Sequence, residues 1–168
     1  MHTNKINTEE AATYAAQRGN PDNNDDEILA KAAEILLSRV TQQSDCFTTP
    51  ETTKQFLKIK LRPLEHEVFA CLFLNNQHQL IEYQEMFRGT IDGASVYPRE
   101  VAKEALRLNS VAMIIAHNHP SGLNEASHAD RNITDKLKQA LGLFDIRLLD
   151  HFIIGDEEPY SFAEHGLI

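Results

Sequence analysis

The stretch Val111–Asp130, VAMIIAHNHPSGLNEASHAD, reads as a strand, a sharp turn and the opening of a helix. Val111–His117 is short and almost continuously apolar, as expected of a strand buried on both faces. Pro120 and Gly122 punctuate the chain, making Asn118–Ala126 a loop. Ser127 and Asp130 form an S-x-x-D helix-start signal. Ile133, Leu137, Ala140, Leu141 and Phe144 then recur at i, i+4, i+7, i+8 and i+11 and mark the buried stripe of a helix. Ile146–Ile154 closes as another strand, carrying the pair Asp150-His151. Strand, helix and strand in succession place the chain in the α/β class.

Working outward, Val68–Leu74 (VFACLFL) is a second buried strand, and Leu80–Arg88 is its hairpin partner across the turn NNQH. Gly89 and Gly93 bracket a loop, and Ser95 or Tyr97 precedes a helix starting at Pro98, with Val101, Ala102, Ala105 and Leu106 on its core face. An earlier helix begins at Thr49-Pro50-Glu51, with threonine as cap, proline in the first turn, and Phe56, Leu57 and Leu61 buried. From Glu27 the positions Ile28, Leu29, Ala32, Ile35, Leu36 and Val40 share one helical face, capped by Asp25 or Asp26. Residues 1–24 are polar and turn-rich, with a weak helix at most over Glu9–Gln17. The expectation is a mixed β-sheet flanked by helices, an α/β sandwich over residues 48–168. Residues 1–47 form a tail and a short helical N-terminal extension.

A chain of 168 residues with 42% hydrophobic and 24% charged residues fits one soluble domain with a core of its own. No apolar run approaches the roughly 18 residues of a membrane span, and the N-terminus lacks a secretory pattern. Cys46 and Cys71 show no metal-ligand spacing or disulfide framework, so a cytoplasmic setting is expected, with Cys71 a core residue. Acidic residues outnumber Lys and Arg by 25 to 16, for a net charge of −9. A phosphate-binding face is therefore not expected, and nucleic acid is a poor partner.

His117 and His119 stand at i and i+2 on a strand and so project to one face. Asp130 returns in the first turn of the next helix, where a carboxylate also suits the helix dipole. Two imidazoles and one carboxylate can hold a divalent ion and leave a position for water, the pattern of a catalytic zinc site. A zinc so held lowers the pKa of its water towards about 7. Such chemistry needs a proton carrier that is not a ligand. Glu67, directly before VFACLFL, is the best candidate, with Glu65, Glu82 and Glu85 as competitors. Ser127 is placed to donate a hydrogen bond to a developing oxyanion, and its capping role is compatible with that. Asp150-His151 reads equally as a pair orienting a ligand and as a structural pair. His66, His78, His128 and His165 read as surface residues.

HNHPSG followed by SHAD resembles the JAMM (MPN/JAB) signature: H-x-H, seven residues, Ser, two residues, Asp. The blocks EVFACLFLNNQHQLI, FRGTIDGASVYPREVAKEAL, ITDKLKQALGLFDIRLLDHFIIG and SFAEHGLI are similar to RadC-like JAB domains, from about Thr48 to Ile168. The resemblance implies a cytidine-deaminase-like α/β/α fold. It implies zinc, or another divalent metal, on His117, His119 and Asp130, with Glu67 as general acid/base and Ser127 assisting. It also implies hydrolysis of a peptide or isopeptide bond in a protein substrate. Two departures stand out. Leu123-Asn124-Glu125-Ala126 replaces an Asp- and Pro-containing loop, and residues 1–47 lack the Gly-x-Gly hairpin of the DNA-associated segment in longer RadC proteins. A metal-free MPN-type scaffold and a nucleic-acid-associated protein are the competing readings. The intact ligand set opposes the first and the acidic balance the second.

Overall fold

A computed structural model of the chain describes residues 50–89 and 95–168, with Ile28, Lys31, Ala32, Glu34 and Ile35, all helical, further upstream. The chain divides into two compact units, Met1–Ala32 and Ala33–Ile168. The expected tail, most of the helix from Glu27, the Thr49 cap, Cys46 and Gly93 lie outside the described residues.

Within the second unit the order is α1 (Pro50–Leu61), β1 (Val68–Leu74), β2 (Leu80–Arg88), α2 (Pro98–Arg107), β3 (Ala112–Asn118), α3 (His128–Gly142), β4 (Arg147–Ile154) and β5 (Tyr160–Ser161). The strands form one mixed sheet in the order β2-β1-β3-β4-β5. β1 runs antiparallel to both neighbours, while β3 and β4 are parallel. Parallel strands need a crossover, and α3 supplies it. The β1–β2 turn is set by Asn75, whose Oδ1 accepts from the Gln77 and Gln79 amides at 2.9 Å each.

Strand parity sorts the apolar residues into two cores. Val68, Ala70, Leu72 and Leu74 of β1, with Ala112, Ile114 and Ala116 of β3, pack against Phe56, Leu57 and Leu61 of α1. Phe69, Cys71 and Phe73, with Met113 and Ile115, pack against Val101, Ala102 and Ala105 of α2 and Leu137 and Leu141 of α3. The result is an α/β/α sandwich, and β1 and β3 are buried throughout because helices cover both faces. Each fully buried Leu or Phe contributes about 1.5–3 kcal/mol.

Two expected core positions are corrected. Leu106 and Phe144 are each 47% exposed. α2 and α3 lie side by side on one face of the sheet. Their outer flanks, with Leu106 on one and Phe144 past the end of the other, therefore line a surface groove instead of reaching the strands. Tyr97 occupies the cap position of α2 in extended conformation without a side-chain cap bond; Pro98 alone starts the helix.

Candidate metal centre

β3 carries His117 and leads directly into His119 at the C-terminal end of the sheet's centre, where open α/β sheets place their sites. In β3 the odd positions face α2 and α3, so His117 lies across from Phe69 in the antiparallel register. His119 extends the strand by one more bond, its amide donating to Ile154 O at 2.9 Å. The chain then turns back on itself at Gly122, whose φ of 83° suits glycine, with the Gly122 amide donating to His119 O. Ser127 caps α3 reciprocally with Asp130. Ser127 Oγ accepts from the Asp130 amide at 3.1 Å, and Asp130 Oδ2 accepts from the Ser127 amide at 2.8 Å. This box fixes the Asp130 carboxylate against the two imidazoles.

His117 Nε2 lies 2.9 Å from His119 Nε2 and 3.1 Å from Asp130 Oδ1, while His119 Nε2 lies 3.7 Å from Asp130 Oδ2. These are the only three side chains found grouped as metal ligands among the described residues. Ligands at about 2.0–2.1 Å in a tetrahedral shell stand roughly 3.3 Å apart. The observed separations bracket that value, so the donor set fits one small divalent ion.

The protonation states agree. Burial, reinforced by the neighbouring His117, lowers the pKa of His119 below the usual histidine value. Its Nδ1 is held by Leu123 O at 2.9 Å, which leaves Nε2 as a lone-pair donor. Burial would raise the Asp130 carboxyl, but its surroundings, the Ser127 hydrogen bonds among them, more than reverse this and hold it well below the usual carboxylate range. His151 is fully buried, and desolvation keeps its pKa well below 6.5.

A cleft of about 390 Å³ opens beside the cluster, lined by Glu67, His119, Pro120, Ser121, Leu123, Glu125, Ala126 and Ser127. Glu67 therefore shares the cleft with His119 and Ser127. Glu82 and Glu85 lie on β2 and engage Arg107 and Arg88, and Glu65 is exposed outside the cleft lining. The pair Asp150-His151 splits. His151 Nε2 approaches His117 Nδ1 at 2.9 Å, whereas the Asp150 carboxylate accepts from Ser161 Oγ (2.5 Å), the His151 amide (2.7 Å) and the Ala163 amide (2.9 Å). Asp150 thus ties β4 to the C-terminal segment. Of the remaining histidines, His165 stacks on Tyr160 at 3.9 Å, and His66 and His78 are only partly exposed.

Two residues escaped the sequence reading. Asn118, between the histidines, projects to the opposite face and is buried. Its Oδ1 accepts from the Val68 amide at 2.8 Å, and its Nδ2 donates to His66 O at 3.0 Å and Leu64 O at 3.3 Å. It therefore clamps the segment that carries Glu67. Thr134, one turn into α3, reaches His151 Nδ1 at 2.6 Å. The parity of H-x-H could have pointed to Asn118; nothing in the sequence singles out Thr134.

An α/β/α sandwich with two imidazoles and a capped carboxylate at the end of a central strand defines a candidate metal-binding α/β domain. Comparison with known proteins makes this specific: the family model of the RadC-like JAB domain matches residues 47–167, and the chain belongs to that family. A UPF0758 protein of Vibrio cholerae serotype O1 is 57% identical over 139 residues, covering 83% of this chain and 87% of that protein. UPF0758 proteins of Nitrosococcus oceani and Leptothrix cholodnii are 55% and 50% identical, over 79% and 84% of this chain. The chain spans only 59% and 63% of those two relatives. No described helix is long and apolar enough to cross a membrane.

Proposed function

We propose that the chain is a zinc-dependent hydrolase of JAMM type that cleaves a peptide or isopeptide bond in a protein substrate. The observation that carries this reading is the convergence of His117, His119 and Asp130 beside one cleft that Glu67 and Ser127 also line. When bound there, a divalent metal supplies Lewis acidity and makes water acidic enough to ionise near neutral pH. Glu67 takes a proton from the attacking water as its oxygen bonds to the carbonyl carbon. Ser127 Oγ already accepts the Asp130 amide, so its own hydrogen is free to donate to the carbonyl oxygen as negative charge develops. Glu67 then passes its proton to the leaving nitrogen, the C–N bond breaks, and a carboxylate and an amine depart. Asn118 holds Glu67 in place through the backbone on either side of it.

The test pairs wild type with Glu67→Gln against peptide and isopeptide libraries, with metal content measured on the same samples. Cleavage by wild type, reduced about 10²–10⁴-fold in the variant at equal metal content, supports the assignment. Fully metallated wild type and variant that are equally inert would remove it and leave a binding domain.

A further inference from the structure

We propose that Thr134 and His151 are positioning residues that fix His117 in the one tautomer able to offer Nε2 to a metal. The inference rests on the metal centre but not on the hydrolytic reaction assigned to it.

His117 has two ring nitrogens with different neighbours. Nε2 faces His119 and Asp130, and Nδ1 faces His151 Nε2. Which nitrogen carries the hydrogen is decided two residues away. Thr134 Oγ1 donates its single hydrogen to the carbonyl of Asp130, one helical turn earlier, at 2.6 Å. Towards His151 Nδ1, also at 2.6 Å, it can then only accept. His151 therefore carries its hydrogen on Nδ1. A neutral imidazole has only one N–H, so His151 Nε2 is a lone pair and accepts from His117 Nδ1–H. His117 Nε2 is left as a lone pair directed at His119 and Asp130.

The ring of His151 has little freedom to escape this role. It is fully buried, stacked on Phe162 with centroids 4.6 Å apart and edge-on to Phe69 at 5.9 Å. The hydrogen-bond path starts on the backbone of one ligand, Asp130, and ends on the ring of another, His117. It thereby joins α3 to β3 through β4. Without the Thr134 hydroxyl, His151 is free to carry its hydrogen on Nε2. His117 would then carry its own on Nε2, turning a ligand into a donor aimed at the cluster.

The experiment measures Zn²⁺ affinity by competition with a chromophoric chelator for wild type, Thr134→Val, Thr134→Ser and His151→Phe. Long-range ¹H–¹⁵N spectra of the metal-free wild type report the histidine tautomers. Thr134→Val keeps the side-chain shape without the hydroxyl and should bind zinc about 10–100-fold more weakly. Thr134→Ser should restore affinity, and the spectra should show His151 with Nδ1–H and His117 with Nδ1–H. Wild-type affinity in a folded Thr134→Val protein would overturn the inference, and so would an Nε2–H on His151. The spectra decide it even where a variant fails to fold. Graded affinities in a protein inert to every peptide would discard the hydrolase reading alone. Active protein with flat affinities would discard the relay alone, and wild type that takes up no zinc would discard both.

Discussion

Replacing Asn118 by alanine should destabilise the fold without loosening the metal. Asn118 makes three hydrogen bonds to the chain between Leu64 and Val68, some fifty residues away in sequence. The Val68 amide sits at the start of a fully buried strand and loses its acceptor, at a cost of about 1–3 kcal/mol. The carbonyls of His66 and Leu64 each lose a bond worth about 0.5–1.5 kcal/mol, the latter counted low for its 3.3 Å length. The total is about 3 kcal/mol. Urea unfolding in excess chelator, which removes any contribution from bound metal, should show the midpoint fall by roughly 1.5 M for a slope of about 2 kcal/mol/M. Because Asn118 faces α1 and His117 faces α2 and α3, zinc affinity should stay near wild type while hydrolysis drops. A loss below about 0.5 kcal/mol, the ordinary range of a surface change, would refute the clamp.

Further outcomes follow from the site. His119→Ala and Asp130→Ala should each abolish metal uptake, read by elemental analysis as a fall from near one ion per wild-type chain to background. His151 has a folded pKa below its unfolded value of about 6.5. The unfolded chain then binds the extra proton, so metal-free protein should lose stability as pH falls from about 6.5 towards the folded pKa. His151→Phe, whose ring the neighbouring Phe69 and Phe162 can accommodate, should flatten that acid limb in urea titrations. Parallel slopes in the two proteins would contradict the assignment. Ser127→Ala removes the cap of α3 and should cost about 0.5–2 kcal/mol in the same assay, with Ser127→Thr recovering most of it.

Much of the fold was legible because burial leaves a pattern in the residues themselves. VFACLFL and its partner became β1 and β2 with the bounds read from the sequence, since an uninterrupted apolar run beside a turn has few other uses. Leu106 and Phe144 were misplaced because helical periodicity defines a stripe but not how far a neighbouring helix holds it from the sheet. The convergence of His117, His119 and Asp130 was legible for a local reason, two histidines at i and i+2 and a capped carboxylate. Glu67 was favoured over Glu65 by its place directly before the buried strand and by resemblance, and here it lines the cleft while Glu65 does not. Parity could place Asn118 on the far face but not name its partners, which lie some fifty residues away, and Thr134 gave no signal because its link to His151 depends on how α3 packs on β4.

The loop between His119 and Ser127 is tied down by hydrogen bonds to the segment after β4. Asn124 Nδ2 donates to Glu158 O at 2.5 Å, and the Asp156 amide donates to Gly122 O at 2.9 Å. Gly155 lies against Asn124 so closely that a Cβ would overlap the amide side chain. Position 155 is consequently a keyhole that admits only glycine while the loop runs this way. Shortening Asn124 would not lift that restriction, because the Gly122 carbonyl lies in the path of a Cβ at 155 as well.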